Sequence, residues 1–391
     1  MNKSLSITLL IAGIFLSCLN EKVQGPISLP RGDQHPGENG NGPISSEELP
    51  DLSDSKSLYF CGVIKSHDKE QLVLYKDGVQ QFCVDCSEDT HISSDADSHF
   101  LIDGALYTTY SSYQKTYIKK NGEELIEYEG KEHIKEMLLD NETIWTLCIP
   151  YNSSGFNIRK NDELAFSVND AIPISFYMDQ KDLLCTYTTE LAGNKIWHVV
   201  KNTNSSQIEN PHKNNLIDIK TKGDEIWYLT KDGQHISSSH NDIIYNYELP
   251  YGFSFISGEL LPLKENEYCA IIHLKANFSS MLADLICIED KQMLSGAGEA
   301  CYYYTSNRPE RRICLSRNCE KLYISDFEGN ETVFENVVFP TRHCACQDDG
   351  KIYVCISQKD NTKNPFIWSE GKKTDIKIKG TLTGICISHP T

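Results

Sequence analysis

From about residue 57 onward the chain is made of short apolar runs separated by polar turns. One kind of run carries an aromatic near its start, as in Leu58-Tyr59-Phe60-Cys61-Gly62, Leu106-Tyr107-Thr108-Thr109-Tyr110 and Ile144-Trp145-Thr146-Leu147-Cys148. The series continues through Leu183-Leu184-Cys185, Ile226-Trp227-Tyr228, Tyr268-Cys269-Ala270 and Cys301-Tyr302-Tyr303-Tyr304 to Ile352-Tyr353-Val354-Cys355. Such runs are too short for helices and rich in β-branched and aromatic residues, so they predict strands. A second kind of run follows each and ends in a polar turn, as in Val73-Leu74-Tyr75-Lys76-Asp77-Gly78 and Tyr117-Ile118-Lys119-Lys120-Asn121-Gly122. Asn-Gly and Asp-Gly suit hairpins that need positive φ at both central residues. A third short strand then runs out, as in Glu123-Glu124-Leu125-Ile126-Glu127-Tyr128.

The turns between Asp77 and Glu370 recur with a mean period of about 42 residues, the length of a four-stranded propeller blade. The reading is all-β: a β-propeller of four-stranded antiparallel blades over residues 55–391, with eight units counted. The unit around Cys301–Phe334 is compressed, and seven blades is the alternative. The first unit lacks a preceding strand, while Leu382–Ser388 is a spare one at the end. Pairing the two would close the ring and remove two exposed sheet edges. These repeats resemble those of uncharacterised Bacteroidetes lipoproteins, whose blades pair an Ile-Tyr-Val-like strand with a Trp-Lys-Asn-Gly-like turn. That resemblance implies a fold and transfers no catalytic residue.

The N-terminal pattern is different. Residues 1–17 carry Lys3 and an almost wholly apolar run from Ile7 to Leu16. The run fits a secretory signal and is too short for a hydrocarbon core of about 30 Å. It ends Phe15-Leu16-Ser17-Cys18, which resembles a bacterial lipobox and implies that Cys18 carries the lipid. Phe15 departs from the usual Leu or Val, and an ordinary secretory signal is the alternative. Residues 18–54 are rich in Gly, Pro, Asn, Ser and Glu, and read as a flexible tether. The lipid would be the only membrane attachment. The address implied is an exported one, at the outer membrane or cell surface.

Composition narrows the partners. With 55 acidic against 37 basic side chains the formal net charge is −18, which repels nucleic-acid phosphates. Five of the seven arginines, Arg308, Arg311, Arg312, Arg317 and Arg342, fall in the last two units. Arg308-Pro309-Glu310-Arg311-Arg312 is expected in a connection between strands, where guanidinium forks could bind an anionic glycan. Ala at Arg311 and Arg312 should then abolish binding of an acidic saccharide.

Fifteen cysteines are present. Cys61, Cys148, Cys185, Cys269 and Cys355 sit at similar places in successive strands and are expected to be buried thiols. Cys83, Cys86 and His91, and likewise His343, Cys344 and Cys346, offer three ligands each where structural zinc wants four. Asp348-Asp349-Gly350 reads as a turn rather than a calcium loop. No metal or cofactor is implied. No Gly-x-Ser-x-Gly elbow, His-Glu-x-x-His or Walker loop occurs.

The functional expectation is a monomeric, non-enzymatic binding module for a glycan or an envelope protein. A polysaccharide-active hydrolase or lyase and a periplasmic assembly scaffold are the alternatives.

Overall fold

The computed structural model describes residues 49–388 apart from internal segments, of which 209–215, 263–267, 297–310 and 316–320 are the longest. The signal segment, Cys18 and most of the predicted tether therefore lie outside the described residues. Leu49 and Leu52, at the end of that tether, pack against the core.

Eight antiparallel sheets follow one another along the described chain, seven of them four-stranded. Sheet 1 takes Gly380–Ser388 as its first strand, followed by Ser57–Ser66, Lys69–Lys76 and Val79–Asp85. Sheet 2 is His99–Ile102, Ala105–Ser112, Lys115–Lys120 and Glu123–Glu129. Sheet 3 is Glu132–Asp140, Thr143–Pro150, Gly155–Lys160 and Glu163–Asn169. Sheet 4 is Ala171–Asp179, Asp182–Leu191, Asn194–Lys201 and Asn204–Gln207. Sheet 5 is Leu216–Lys222, Glu225–Asp232, His235–His240 and Ile243–Glu248. Sheet 6 is Phe253–Pro262, Tyr268–Ala276, Leu282–Ile288 and Lys291–Gly296. Sheet 7 has three described strands, Arg311–Leu315, Lys321–Asp326 and Glu331–Glu335. Sheet 8 is Ala345–Asp348, Lys351–Ile356, Phe366–Ser369 and Lys372–Asp375. The strand expected at Cys301–Tyr304 lies outside the described residues. The last strand of the chain pairs with the first, Ser57 opposite Ser388 and Ile64 opposite Gly380, as the two unmatched ends imply.

Consecutive four-stranded antiparallel sheets of this kind are the construction of a β-propeller. The packing agrees. Apolar slices lie between successive sheets: Leu147, Phe156 and Ile158 meet Phe176, Leu183 and Cys185 between sheets 3 and 4. Trp227 and Leu229 meet Leu260 and Leu274 between sheets 5 and 6. Tyr353 and Cys355 meet Phe60 and Leu382 between sheets 8 and 1. Similar slices join sheets 1 and 2, 2 and 3, 4 and 5, and 7 and 8. Second strands are buried on both faces by this arrangement, which is why they read as unbroken apolar runs. Each fully buried Leu or Phe contributes roughly 1.5–3 kcal/mol.

Strand direction sorts the connections onto two edges. The turn between strands one and two and the turn between strands three and four share one edge, here the turn edge. The hairpin between strands two and three and the crossing to the next sheet share the other, the tip edge. On the turn edge the repeat signature acquires a physical meaning. Asp77, Asn121, Asn161 and Asn202 all adopt positive φ, between 48° and 59°. Each takes a main-chain hydrogen bond with the start of its second strand and accepts another on its side chain. Leu106 N donates to Asn121 Oδ1 at 2.9 Å, and Asn121 N donates to Leu106 O at 2.8 Å. The same double fastening joins Asp77 to Leu58, Asn161 to Ile144 and Asn202 to Leu183. The lysine just before the turn lies over the aromatic of that strand in three sheets: Lys76 over Tyr59, Lys120 over Tyr107 and Lys160 over Trp145.

Candidate functional site

The first strands carry the described charges that are hardest to explain by packing alone. In sheet 5 the ladder skips Ile217 between Leu216 and Asp218, and in sheet 6 it skips Ile256. Bulges of this type bend a strand and re-aim its side chains. Beyond them stand Asp218 and Lys220 on sheet 5 and Glu259 on sheet 6. Asp218 is buried; Oδ1 accepts Ile219 N at 2.8 Å, Oδ2 accepts Leu260 N of the neighbouring sheet at 2.8 Å, and Lys220 Nζ is 3.4 Å away. Burial pushes its carboxyl pKa up, with Lys220 and the two N–H groups opposing that shift. Tyr177, on the first strand of sheet 4, bonds through its hydroxyl to both the carbonyl and the N–H of Thr221. Side-chain bonds to main chain thus lace the first strands of sheets 4, 5 and 6.

His273, on the second strand of sheet 6, sits between two carboxylates. Its Nδ1 is 2.6 Å from Asp284 Oδ1 and its Nε2 is 3.7 Å from Glu259 Oε1. Burial alone would pull the imidazole pKa down. Asp284 and Glu259 outweigh it and hold the group up at about 10. Enclosure likewise pushes Glu259 up, but His273 and Lys220 win and leave its pKa below the usual value. Near neutral pH, therefore, His273 is a fixed cation and Glu259 a fixed anion. A general acid or base works best with a pKa near the working pH. Neither group meets that condition, whereas a fixed pair with a carboxylate still 44% exposed is suited to accepting hydrogen bonds from a ligand.

The sequence reading did not single out these residues. The signal was present: Asp218, His273 and Asp284 each interrupt an otherwise apolar strand, in Leu216-Ile217-Asp218-Ile219, Ile271-Ile272-His273-Leu274 and Ala283-Asp284-Leu285. A buried charge needs a partner; finding the partner required the strand register.

The expected residues are placed as follows. Cys18 and Arg308 lie outside the described residues. Arg311 and Arg312 open a strand, opposite Asp326 and Ser325, rather than lying within a connection. Strand direction puts their end of the strand on the turn edge. Cys61, Cys148, Cys185, Cys269 and Cys355 are buried, and the eleven cysteines whose side chains are described are thiols rather than disulfides. Burial pushes Cys61, Cys148 and Cys185 up to about 12, which suppresses the reactive thiolate. His91 stacks on Tyr117 with ring centroids 4.1 Å apart, and His343 meets Phe100 edge-on. Among the described residues no group of three or more His, Cys, Asp or Glu converges as a metal site would require.

No protein-family model matches the chain, and no curated protein matches its sequence. Solved structures of similar shape include apo AztD from Citrobacter koseri, at 13% identity and TM-score 0.45, covering 86% of this chain and 98% of that one. An oligogalacturonate lyase in complex with manganese is 9% identical, with TM-score 0.44, over 87% of this chain and 99% of that one. The polysaccharide lyase Uly1 is 10% identical, with TM-score 0.42, over 86% and 98%. Likenesses this distant carry no functional argument. The class of protein is set by strand order and packing: an all-β chain of propeller construction.

Proposed function

We propose that this chain is an exported lipoprotein, anchored through Cys18 at the outer membrane or cell surface, that binds a glycan or an envelope protein without transforming it. Its scaffold is an eight-bladed propeller closed by Gly380–Ser388. Seven of the eight junctions have an apolar slice among the described residues, and the junction between sheets 6 and 7 falls at the segment 297–310.

The observation that carries the binding reading is the state of the first-strand charges. His273 at about 10 and Glu259 below its ordinary value favour holding a ligand over moving its protons. For an acidic ligand the contact would instead be Arg308, Arg311 and Arg312, and Ala at Arg311 and Arg312 would abolish its binding. The test is affinity gel electrophoresis of the detergent-solubilised full chain against neutral and acidic polysaccharides, with the length of each polysaccharide measured afterwards. Retardation without shortening is expected. Shortening of any polysaccharide would replace this reading with a hydrolase or lyase. Absence of retardation by every polysaccharide would remove the glycan arm and leave the envelope protein as partner.

A further inference from the structure

Exposed large apolar side chains fall into two sets among the described residues. Val79, Leu125, Leu164, Ile243, Ile244 and Val333 lie on the last strands of their sheets, the outer rim that any stack of sheets leaves open. The other set is Tyr113, Tyr151, Ile172, Leu191, Tyr251 and Phe278. Tyr113, Tyr151, Leu191 and Phe278 occupy hairpins between second and third strands in sheets 2, 3, 4 and 6; Ile172 and Tyr251 stand at crossings between sheets. By strand direction all six belong to the tip edge. None lies in a turn of the turn edge.

Folding does not account for Tyr113, Tyr251 and Phe278; the fourth ring, Tyr151, is 58% exposed and carries Lys131 Nζ at 4.9 Å from its centroid. Tyr113 is 88% exposed and Phe278 93% exposed, and Tyr251 is fully exposed. Tyr113 also adopts φ of 54°, a left-handed conformation that disfavours a bulky side chain. An exposed ring in a strained turn stabilises nothing within the chain, so a use outside it is the economical explanation.

We propose that the tip edge is a docking surface for an uncharged polysaccharide, whose sugar rings stack on Tyr113, Tyr151, Tyr251 and Phe278. The proposal rests on the reading of the chain as a binding module and names the surface and the ligand class. Three observations select this occupant. The rings stand singly, in four different hairpins or crossings, where a protein interface wants a contiguous apolar centre. Their neighbours in sequence are uncharged hydrogen-bonding residues: Gln114 beside Tyr113, Asn152, Ser153 and Ser154 after Tyr151, and Asn277 before Phe278. Charge does not select an acidic chain, because the tip edge carries both signs: Glu88, Asp89, Asp95 and Asp97 in the crossing from sheet 1 to sheet 2, and Lys131 in the crossing from sheet 2 to sheet 3.

The experiment uses the detergent-solubilised full chain in affinity gels containing a neutral glucan, mannan or xylan, or the acidic polygalacturonate. Four proteins are compared: wild type, the quadruple variant Tyr113→Ser, Tyr151→Ser, Tyr251→Ser, Phe278→Ser, the pair Arg311→Ala with Arg312→Ala, and the single Tyr113→Asn. Wild type is expected to be retarded by at least one neutral polysaccharide, the quadruple variant to bind at least about tenfold more weakly, and the arginine pair to bind as wild type. Tyr113→Asn is expected to weaken binding while raising the thermal midpoint, a split that a structural role would not give. If wild type and the quadruple variant are retarded equally, the docking surface is refuted and the binding-module reading survives. Retardation by polygalacturonate alone would also refute the tip edge and favour the arginines. If no polysaccharide retards wild type, the docking surface and the glycan reading fall together.

Discussion

At Gly122 and at Gly252 the backbone has the same φ, +84°, but the surroundings are opposite. A Cβ on Gly122 would come within 2.5 Å of the Phe82 ring of the preceding sheet, whereas a Cβ on Gly252 would meet nothing within 4 Å. Gly122 belongs to the turn edge and Gly252, next to exposed Tyr251, to the tip edge. Gly104, also on the turn edge, is covered by Tyr59 in the same way, at 2.7 Å. At Gly104 and Gly122 the turn edge of sheet 2 is covered by the preceding sheet, whereas Gly371, on the same edge of sheet 8, and Gly233 and Gly252, on the tip edge, have nothing within 4 Å of a Cβ. The difference teaches where selection for folding acts and where side chains are available for something else.

The largest expected effect tests the fastening at its source. Deleting Gly380–Ser388 removes the strand that pairs with Ser57–Ser66 and takes buried Leu382 and Ile385 with it. No cooperative unfolding transition should remain in a denaturant titration followed by tryptophan fluorescence. A normal transition would mean that sheet 1 does not need its first strand.

The two glycines give the next comparison. Gly122→Ala meets both the Phe82 ring and an unfavourable φ, and should cost about 2–4 kcal/mol. Gly252→Ala meets the φ term alone and should cost about 1 kcal/mol. Equal shifts in the urea midpoint would abolish the distinction between the edges.

A smaller effect comes from the first-strand charges, which belong to neither edge. The folded-state pKa of His273 is raised to about 10 from an ordinary 6.5. A raised pKa in a basic group gives stability that is fully present below the unfolded value and is lost as pH rises through the folded one. Stability should therefore decline between about pH 6.5 and 10, by an amount on the order of 2 kcal/mol once solvent screening of the partly exposed side chain is allowed for. His273→Gln should flatten that decline. An unchanged pH profile in the variant would remove the imidazolium from the account.

The smallest effect is the most specific. Tyr113→Asn relieves a left-handed tyrosine at an exposed site and should raise stability by up to about 1 kcal/mol. A loss of stability would mean that the Tyr113 ring packs against the chain in solution.

Much of the fold was legible because its cause is local. Asp77, Asn121 and Asn161 mark the turn edge in the sequence for the same reason that they hold it in the structure: positive φ and a side-chain oxygen aimed at the second strand. Alternation in Glu123–Glu129 marks a strand with one face open, and the unbroken run Ile352–Ile356 marks one covered on both sides. The site was less legible because its cause is distant. Asp218 finds Leu260 across 42 positions, and no local pattern announces such a contact. Turn residues are also ambiguous by themselves. Tyr113 and Tyr151 look like ordinary strand aromatics until strand order assigns them to an edge. The arginines illustrate the converse: their clustering is visible in sequence, but strand direction, not clustering, puts Arg311 and Arg312 on the edge opposite the exposed rings.

The proposed division of labour gives one edge to folding and the other to the ligand. Hydrogen–deuterium exchange of the full chain with and without a retarding neutral polysaccharide tests it most directly. Added protection should fall on residues 112–114, 150–155, 250–252 and 276–278, with none at 77–78, 121–122 or 161–162. Protection confined to the second set, or spread equally over both, would contradict the claim.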